Sequence, residues 1–252
     1  MRELDRIVSF LDTELEIAKF RDSSNNGLQV ANSGRVRRIC CGVDASLQFF
    51  EEAKSRGSDL VICHHGMSWN DSLKHITGVN YTRLEFLIRN DMALYASHLP
   101  LDAHRTHGNN ARICKLLGLR KLKKFGLYNG AHIGFEGELP KAVSYSAFKK
   151  RVARLMHAEI RSMDFGKKTV RSVAVISGSA ADELVEAGDK KIDVYLSGEP
   201  QLAAYSIAQE YGINAVFAGH YATETFGVQA LADLLRRKFR MPCEFIDLHI
   251  PF

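Results

Sequence analysis

The chain has 252 residues, 46% hydrophobic and 25% charged, which are ordinary globular values and enough chain for one large or two small domains. A disordered, collagen-like or disulfide-scaffold protein is excluded by that composition. Its 34 Lys and Arg against 29 Asp and Glu give a net charge of +5, a mild excess that favours anionic ligands and falls short of a nucleic-acid-binding composition.

Apolar runs such as Leu60 to Cys63 are far shorter than the roughly 20 residues of a membrane span, so no membrane partner is expected. The start, Met1-Arg2-Glu3-Leu4-Asp5-Arg6, interleaves acids and bases and lacks the order of a secretory signal, which predicts a cytoplasmic protein. Cys40, Cys41, Cys63, Cys114 and Cys243 contain no Cys-x-x-Cys pair and sit in apolar contexts, so they read as reduced core thiols.

In chain order, Leu4, Val8, Leu11 and Leu15 recur at near-helical spacing, and the polar run from Arg21 to Gly27 ends that helix in a loop, with Asn26-Gly27 read as a turn. Short β-rich runs then alternate with helical patterns: Val36 to Val43, Asp59 to Cys63, Met92 to Ala96, Ser172 to Ile176, Asp193 to Leu196, Asn214 to Phe217 and Cys243 to Leu248. Helices between them stop at Gly57, Gly118 and Gly212, the last opened by Pro200. Between 119 and 171 the pattern shifts to basic clusters, a strand around Ile133 to Leu139, and a helix with Phe148, Val152, Leu155 and Met156 on one face. The expected fold is α/β, with two packed lobes of mixed sheets flanked by helices, at 1–125 and 126–252, tightly packed or intertwined as one module.

Three apolar runs end in metal-capable side chains: His64-His65 after Leu60 to Cys63, His98 and Asp102 after Leu94 to Ala96, and His220 with Glu224 after Ala215 to Phe217. In open α/β sheets ligands bind outside the carboxyl ends of strands, so a metal site is expected there, between the lobes. Neighbouring strand residues point to opposite faces, which makes His64 and His65 fit two ions better than one. His220 and Glu224 share a helical face. Asp102 reads equally as the N-cap of the following helix, and capping is the stronger reading from spacing alone. Three imidazoles and two carboxylates suit Zn, Mn, Fe or Co.

Other signals are weaker. No nucleotide-binding loop or serine-hydrolase elbow occurs. Ser177-Gly178-Ser179 reads as a steric requirement of a tight turn more than as an anion cradle. The clusters Arg120 to Lys124, Lys149-Lys150-Arg151 and Arg236-Arg237-Lys238 read as solvated surface.

Asn26-Gly27-Leu28-Gln29-Val30, His64-His65-Gly66, His98-Leu99-Pro100-Leu101-Asp102-Ala103-His104 with Gly108-Asn109-Asn110, Ser197-Gly198-Glu199 and Gly219 to Glu224 together resemble the Ngg-interacting-factor-three family, also known as type 2 GTP cyclohydrolase I homologues. The resemblance runs in order from about residue 20 to the carboxyl terminus. It implies two divalent ions per chain, Zn, Mn or Fe: one held by His65, Asp102 and Glu224, the other by His64, His220 and the bridging Glu224. His98 then supports the ligands or transfers a proton. The implied function is a dinuclear-metal hydrolase that opens the guanine ring of GTP with a metal-bridged hydroxide, in a short-form, ring-shaped homohexamer. The other implied class is a metal-loaded ring that engages single-stranded nucleic acid or a protein partner. Gly66 departs from the Pro found in many relatives.

Overall fold

The computed structural model describes residues 1–252. The chain divides into two compact units, Met1–Leu101 with Gly227–Leu248, and Asp102–Phe226 with His249–Phe252. Against the expected boundary at 125/126, the first long segment ends at Leu101, with 102–125 in the second unit, and the segment 227–248 adds a strand and most of a helix to the first.

The first unit opens with α1 (Glu3–Glu14), which buries Leu4, Ile7 and Leu11 along one stripe. Ile7 takes the inward position expected for Val8. Its sheet contains β1 (Gly27–Val30), β2 (Ile39–Asp44), β3 (Leu60–His65), β4 (Ala93–Ala96) and, from the far end of the chain, β11 (Cys243–Phe245), in the order β1-β4-β3-β2-β11. β11, β2, β3 and β4 run parallel, and β1 pairs antiparallel with β4. Parallel strands need crossovers; α2 (Leu47–Ser55) and α3 (Gly78–Arg89) supply them. Ser46 starts α2 by accepting a hydrogen bond from the Phe49 N–H, and Phe49, Phe50 and Ala53 bury its inner face with Val61, Cys63 and Leu94.

The second unit holds α4 (Leu99–Ala103) in part, α5 (Asn109–Leu116), β5 (Arg120–Tyr128), β6 (Ala131–Ser144), α6 (Tyr145–Met156), β7 (Arg161–Asp164), β8 (Thr169–Val175), α7 (Leu184–Asp189), β9 (Val194–Ser197), α8 (Leu202–Tyr211) and β10 (Asn214–Phe217). Its strand order is β5-β6-β8-β9-β10-β7, with β8, β9 and β10 parallel and the other pairings antiparallel. The central strands β9 and β10 are buried at every position, as parallel strands covered on both faces are. Phe148 and Val152 of α6 pack with Val173, Val175, Val194 and Leu196 in one core.

The α/β class and mixed sheets agree with the sequence reading, and several elements exceed it. The basic run Arg120 to Lys124 is the start of the edge strand β5, and its lysines decorate that edge, a common protection against unwanted pairing. α3 was not expected, since only Leu87 of its twelve residues is buried and its apolar stripe is correspondingly weak. Asn26-Gly27 does not close a turn between strands; Gly27, at φ +109°, opens β1. All five cysteines are buried and form no disulfide. No helix is long and apolar enough to cross a membrane.

Candidate metal centre

In the first unit the carboxyl ends of β2, β3 and β4 bring carboxylates and imidazoles together. His64 is fully buried, and its Nδ1 lies 2.9 Å from the Ser97 carbonyl oxygen. A carbonyl can only accept, so Nδ1 carries the proton and Nε2 presents its lone pair. His65 Nδ1 lies 2.8 Å from Asp44 Oδ1. His98 Nδ1 lies 2.9 and 3.1 Å from the two oxygens of Asp22, while its backbone N–H donates to Asn26 Oδ1 at 2.7 Å. Burial works to raise Asp22, but the hydrogen bond and charge of His98, with Asn26 and the Ser24 N–H, outweigh it and hold the carboxyl at about 2.

The rings of His64 and His65 lie 4.7 Å apart, and His98 lies 5.2 and 5.6 Å from them. One ligand atom from each of the three falls within 4.8 Å of the others. Adjacent histidines on opposite faces would not do this. His65 is the last residue of β3, where strand alternation no longer constrains its direction, and the two rings converge.

In the second unit, the ends of β8, β9 and β10 form the counterpart. His220 opens α9 (His220–Phe239) with Glu224 one turn on, and His220 Nε2 lies 3.2 Å from Glu224 Oε2. Glu199, after β9, holds His220 Nδ1 at 2.8 Å. Burial lowers the His220 pKa, but the hydrogen bonds and charges of Glu224 and then Glu199 win and raise it to about 9. Asp102 is buried and accepts hydrogen bonds from Asn109 Nδ2 and Ser177 Oγ, both at 2.9 Å. The capping reading fails for Asp102: it lies within α4, and Gly108 is the N-cap of α5.

Two residues that the sequence reading treated as steric or left without a role shape this edge. Asn110, fully buried, accepts from the Ser177 N–H at 2.7 Å and donates to the Ile133 carbonyl at 2.7 Å. Gly178 sits at φ +68°, and a Cβ there would stand 2.3 Å from Glu224 Oε1 and 3.2 Å from His220 Nε2. The turn 177–179 is therefore built to leave room for the carboxylate and imidazole. Its Gly178 N–H donates to Thr223 Oγ1 at 3.0 Å, which ties the turn to α9.

The donor chemistry fits divalent ions. Each of the four imidazoles has its Nδ1 against an oxygen acceptor, the arrangement that orients Nε2 of metal-binding histidines and raises its basicity. Carboxylates of Asp102 and Glu224 add hard oxygen donors, and neutral imidazole with carboxylate suits Zn, Mn and Fe alike. Of the residues singled out from the sequence, His64, His65 and His98 converge in the first unit. His220 and Glu224 meet in the second, which also holds Asp102. The partners Asp22, Asp44 and Glu199 were missed as functional residues. Asp44 carried a readable signal, since it ends an apolar run as His64 and His220 do.

Two units with mixed sheets, each gathering imidazoles and carboxylates at strand carboxyl ends, define an α/β protein with candidate metal ligands. A family profile described as Duf34/NIF3 (NGG1p interacting factor 3) matches residues 2–250, and the chain belongs to that family. An Archaeoglobus fulgidus protein named GTP cyclohydrolase 1 type 2 homolog is 41% identical over 245 residues, covering 97% of this chain and 98% of its own. Among solved structures, protein ybgI, described as of unknown function, superposes with a TM-score of 0.93 at 31% identity over 100% of both chains. A Thermus thermophilus protein gives 0.90 at 34% identity, also over 100% of both.

Proposed function

We propose that this chain is a dinuclear-metal-dependent hydrolase in which His64, His65, Asp102, His220 and Glu224 hold two divalent ions. The observation that carries the reading is the common anchoring of the three ligand imidazoles, His64, His65 and His220, at Nδ1, which leaves Nε2 as the ligating nitrogen in each. Two such ions supply Lewis acidity and a hydrolytic nucleophile at neutral pH. The substrate proposed is GTP, after the activity in the relatives' name, and the reaction is hydrolytic opening of its guanine ring with release of formate.

The chain's own groups divide the remaining work. His98 carries protons at Nε2, because Asp22 holds its ring through Nδ1 and turns Nε2 outward, the orienting role a buried carboxylate plays behind a general base. Ser177 and Asn109 hold the Asp102 carboxylate in one orientation. The ring-shaped homohexamer belongs to the same proposal, and light scattering showing a monomer would remove it.

The test is elemental analysis of protein purified without added metal, with Glu224→Ala alongside, and GTP turnover after restoring Zn, Mn or Fe. Two ions per chain, lost in the variant, with formate released only by the loaded protein, is the expected result. Two ions with no turnover would overturn the hydrolase reading, and no bound metal would overturn the site itself.

A further inference from the structure

Trp69 is the only tryptophan in the chain, and it stands in the loop after β3 against the histidine cluster of the first unit. Its ring lies 5.0 Å from His98 at 68° and 5.9 Å from His65. The three rings form a connected aromatic surface that is partly open: the His65 and His98 side chains are 19% and 21% exposed, and Trp69 is half-buried.

The loop is held by several groups besides that ring. Gln29 clamps it through Oε1, which accepts from the Met67 and Ser68 N–H groups at 2.8 and 3.0 Å, and through Nε2, which donates to the Ser68 and Asn25 carbonyls. Asn25 Nδ2 donates to Ser68 Oγ and to the Asn70 carbonyl, and the Asn70 N–H donates to the Ser23 carbonyl at 2.7 Å. Gly66 is part of the same fit, since a Cβ there would lie 2.4 Å from Gln29 Oε1 and 2.6 Å from the Ala96 Cβ. The indole N–H is satisfied within the loop by the Gly66 carbonyl at 2.8 Å, so the polar handle of the tryptophan is already used and what remains is a flat apolar face held in one orientation.

A large aromatic ring that is absent from the apolar core cluster of its own unit, rigidly aimed and partly exposed beside candidate catalytic imidazoles, has the properties of a stacking surface. We infer that Trp69 is the wall against which the planar ring of the substrate stacks, which for the GTP already proposed is its guanine base. The inference rests on the hydrolase reading for the site's location and substrate, and adds to it the residue that positions the ring.

The experiment uses the full chain and needs no turnover. With one tryptophan, emission excited at the red edge reports this ring alone. Titration with guanosine and with GTP is expected to quench it saturably, and tripolyphosphate, which has no ring, is expected to leave it unchanged. By calorimetry, Trp69→Phe should bind guanosine within about threefold of the parent, and Trp69→Leu at least about fivefold more weakly, the lower end of base–aromatic stacking. Tripolyphosphate quenching as strongly as GTP, or Trp69→Leu binding guanosine as the parent does, would overturn the wall. If Trp69→Leu fails to fold by circular dichroism, the parent titration and Trp69→Phe decide alone. Guanosine binding with no GTP turnover would sink the hydrolase reading and keep the wall, whereas turnover with an unchanged KM in Trp69→Leu would do the reverse.

Discussion

Gly178→Ala separates backbone strain from crowding at the candidate ligands, because the chain contains its own control. Gly57 and Gly178 both sit in the left-handed region, at φ +74° and +68°, yet a Cβ on Gly57 meets nothing within 4 Å while one on Gly178 meets Glu224 Oε1 at 2.3 Å. Alanine in that region costs about 1 kcal/mol at either position, partly offset by about 0.4–1 kcal/mol from the stiffer unfolded chain. Gly57→Ala should therefore change stability by no more than about 1 kcal/mol. Gly178→Ala carries in addition an overpacking cost of about 1–3 kcal/mol, because a buried carboxylate must retreat by roughly 1 Å to reach ordinary contact distance. A displacement of that size takes a ligand outside the roughly 0.2 Å tolerance of a metal site. Metal competition against a fluorescent chelator should show Gly178→Ala at least about tenfold weaker, with Gly57→Ala unchanged, and urea unfolding of the metal-free proteins should show the stability difference. Equal metal affinity in Gly178→Ala and the parent would refute the reasoning, as would an equal loss in both variants.

Asp44→Asn keeps the shape but weakens the acceptor at His65 Nδ1, and metal affinity should fall about 10- to 100-fold; an unchanged affinity in the chelator assay would show that His65 needs no such support. Asn110→Ala strips the Ser177 N–H and the Ile133 carbonyl of their buried partner, at about 1–3 kcal/mol each, so the urea midpoint should drop well beyond the effect of an ordinary surface substitution. The Asp22 carboxyl is held at about 2 in the folded chain against 3.8 for the free group, so its stabilisation is complete above about pH 4 and is lost as the pH falls from there toward 2. Asp22→Asn should flatten the stability profile over that window, and a profile parallel to the parent's would contradict the assignment.

The parts of the molecule that the sequence disclosed are those where one physical cause dominates. Buried parallel strands read as apolar runs, and their polar ends, His64, His65, His220 and Glu224, stood out because packing gives no reason for them. Elements without a strong pattern stayed hidden: α3 buries a single side chain, and β7, Arg161–Asp164, is nearly all exposed. Asp102 was ambiguous because a carboxylate near a helix start serves equally as cap or ligand, and its hydrogen bonds from Asn109 and Ser177 belong to tertiary structure. Asp22 and Glu199 were missed for the same reason, and Asp44, although it closes an apolar run, gave no sign of the ring it holds. A residue that holds another residue's ring has no spacing signature, since its counterpart lies 76 positions away for Asp22, and 21 for Asp44 and for Glu199.

The pairing of Cys243–Phe245 with Ile39–Cys41 has a consequence for how the protein is made. On the ribosome, β2 emerges early, while the strand that covers its open edge follows about 200 residues later, after the whole sheet of the second unit has been synthesised. At about 5–20 residues per second, that edge waits at least about ten seconds, exposing unpaired amide groups next to apolar positions. The second unit's sheet comes from one uninterrupted segment and faces no such delay. Nascent chains stalled before residue 243 should therefore be the form most dependent on chaperones, with protease protection reaching the second unit's sheet before the first's.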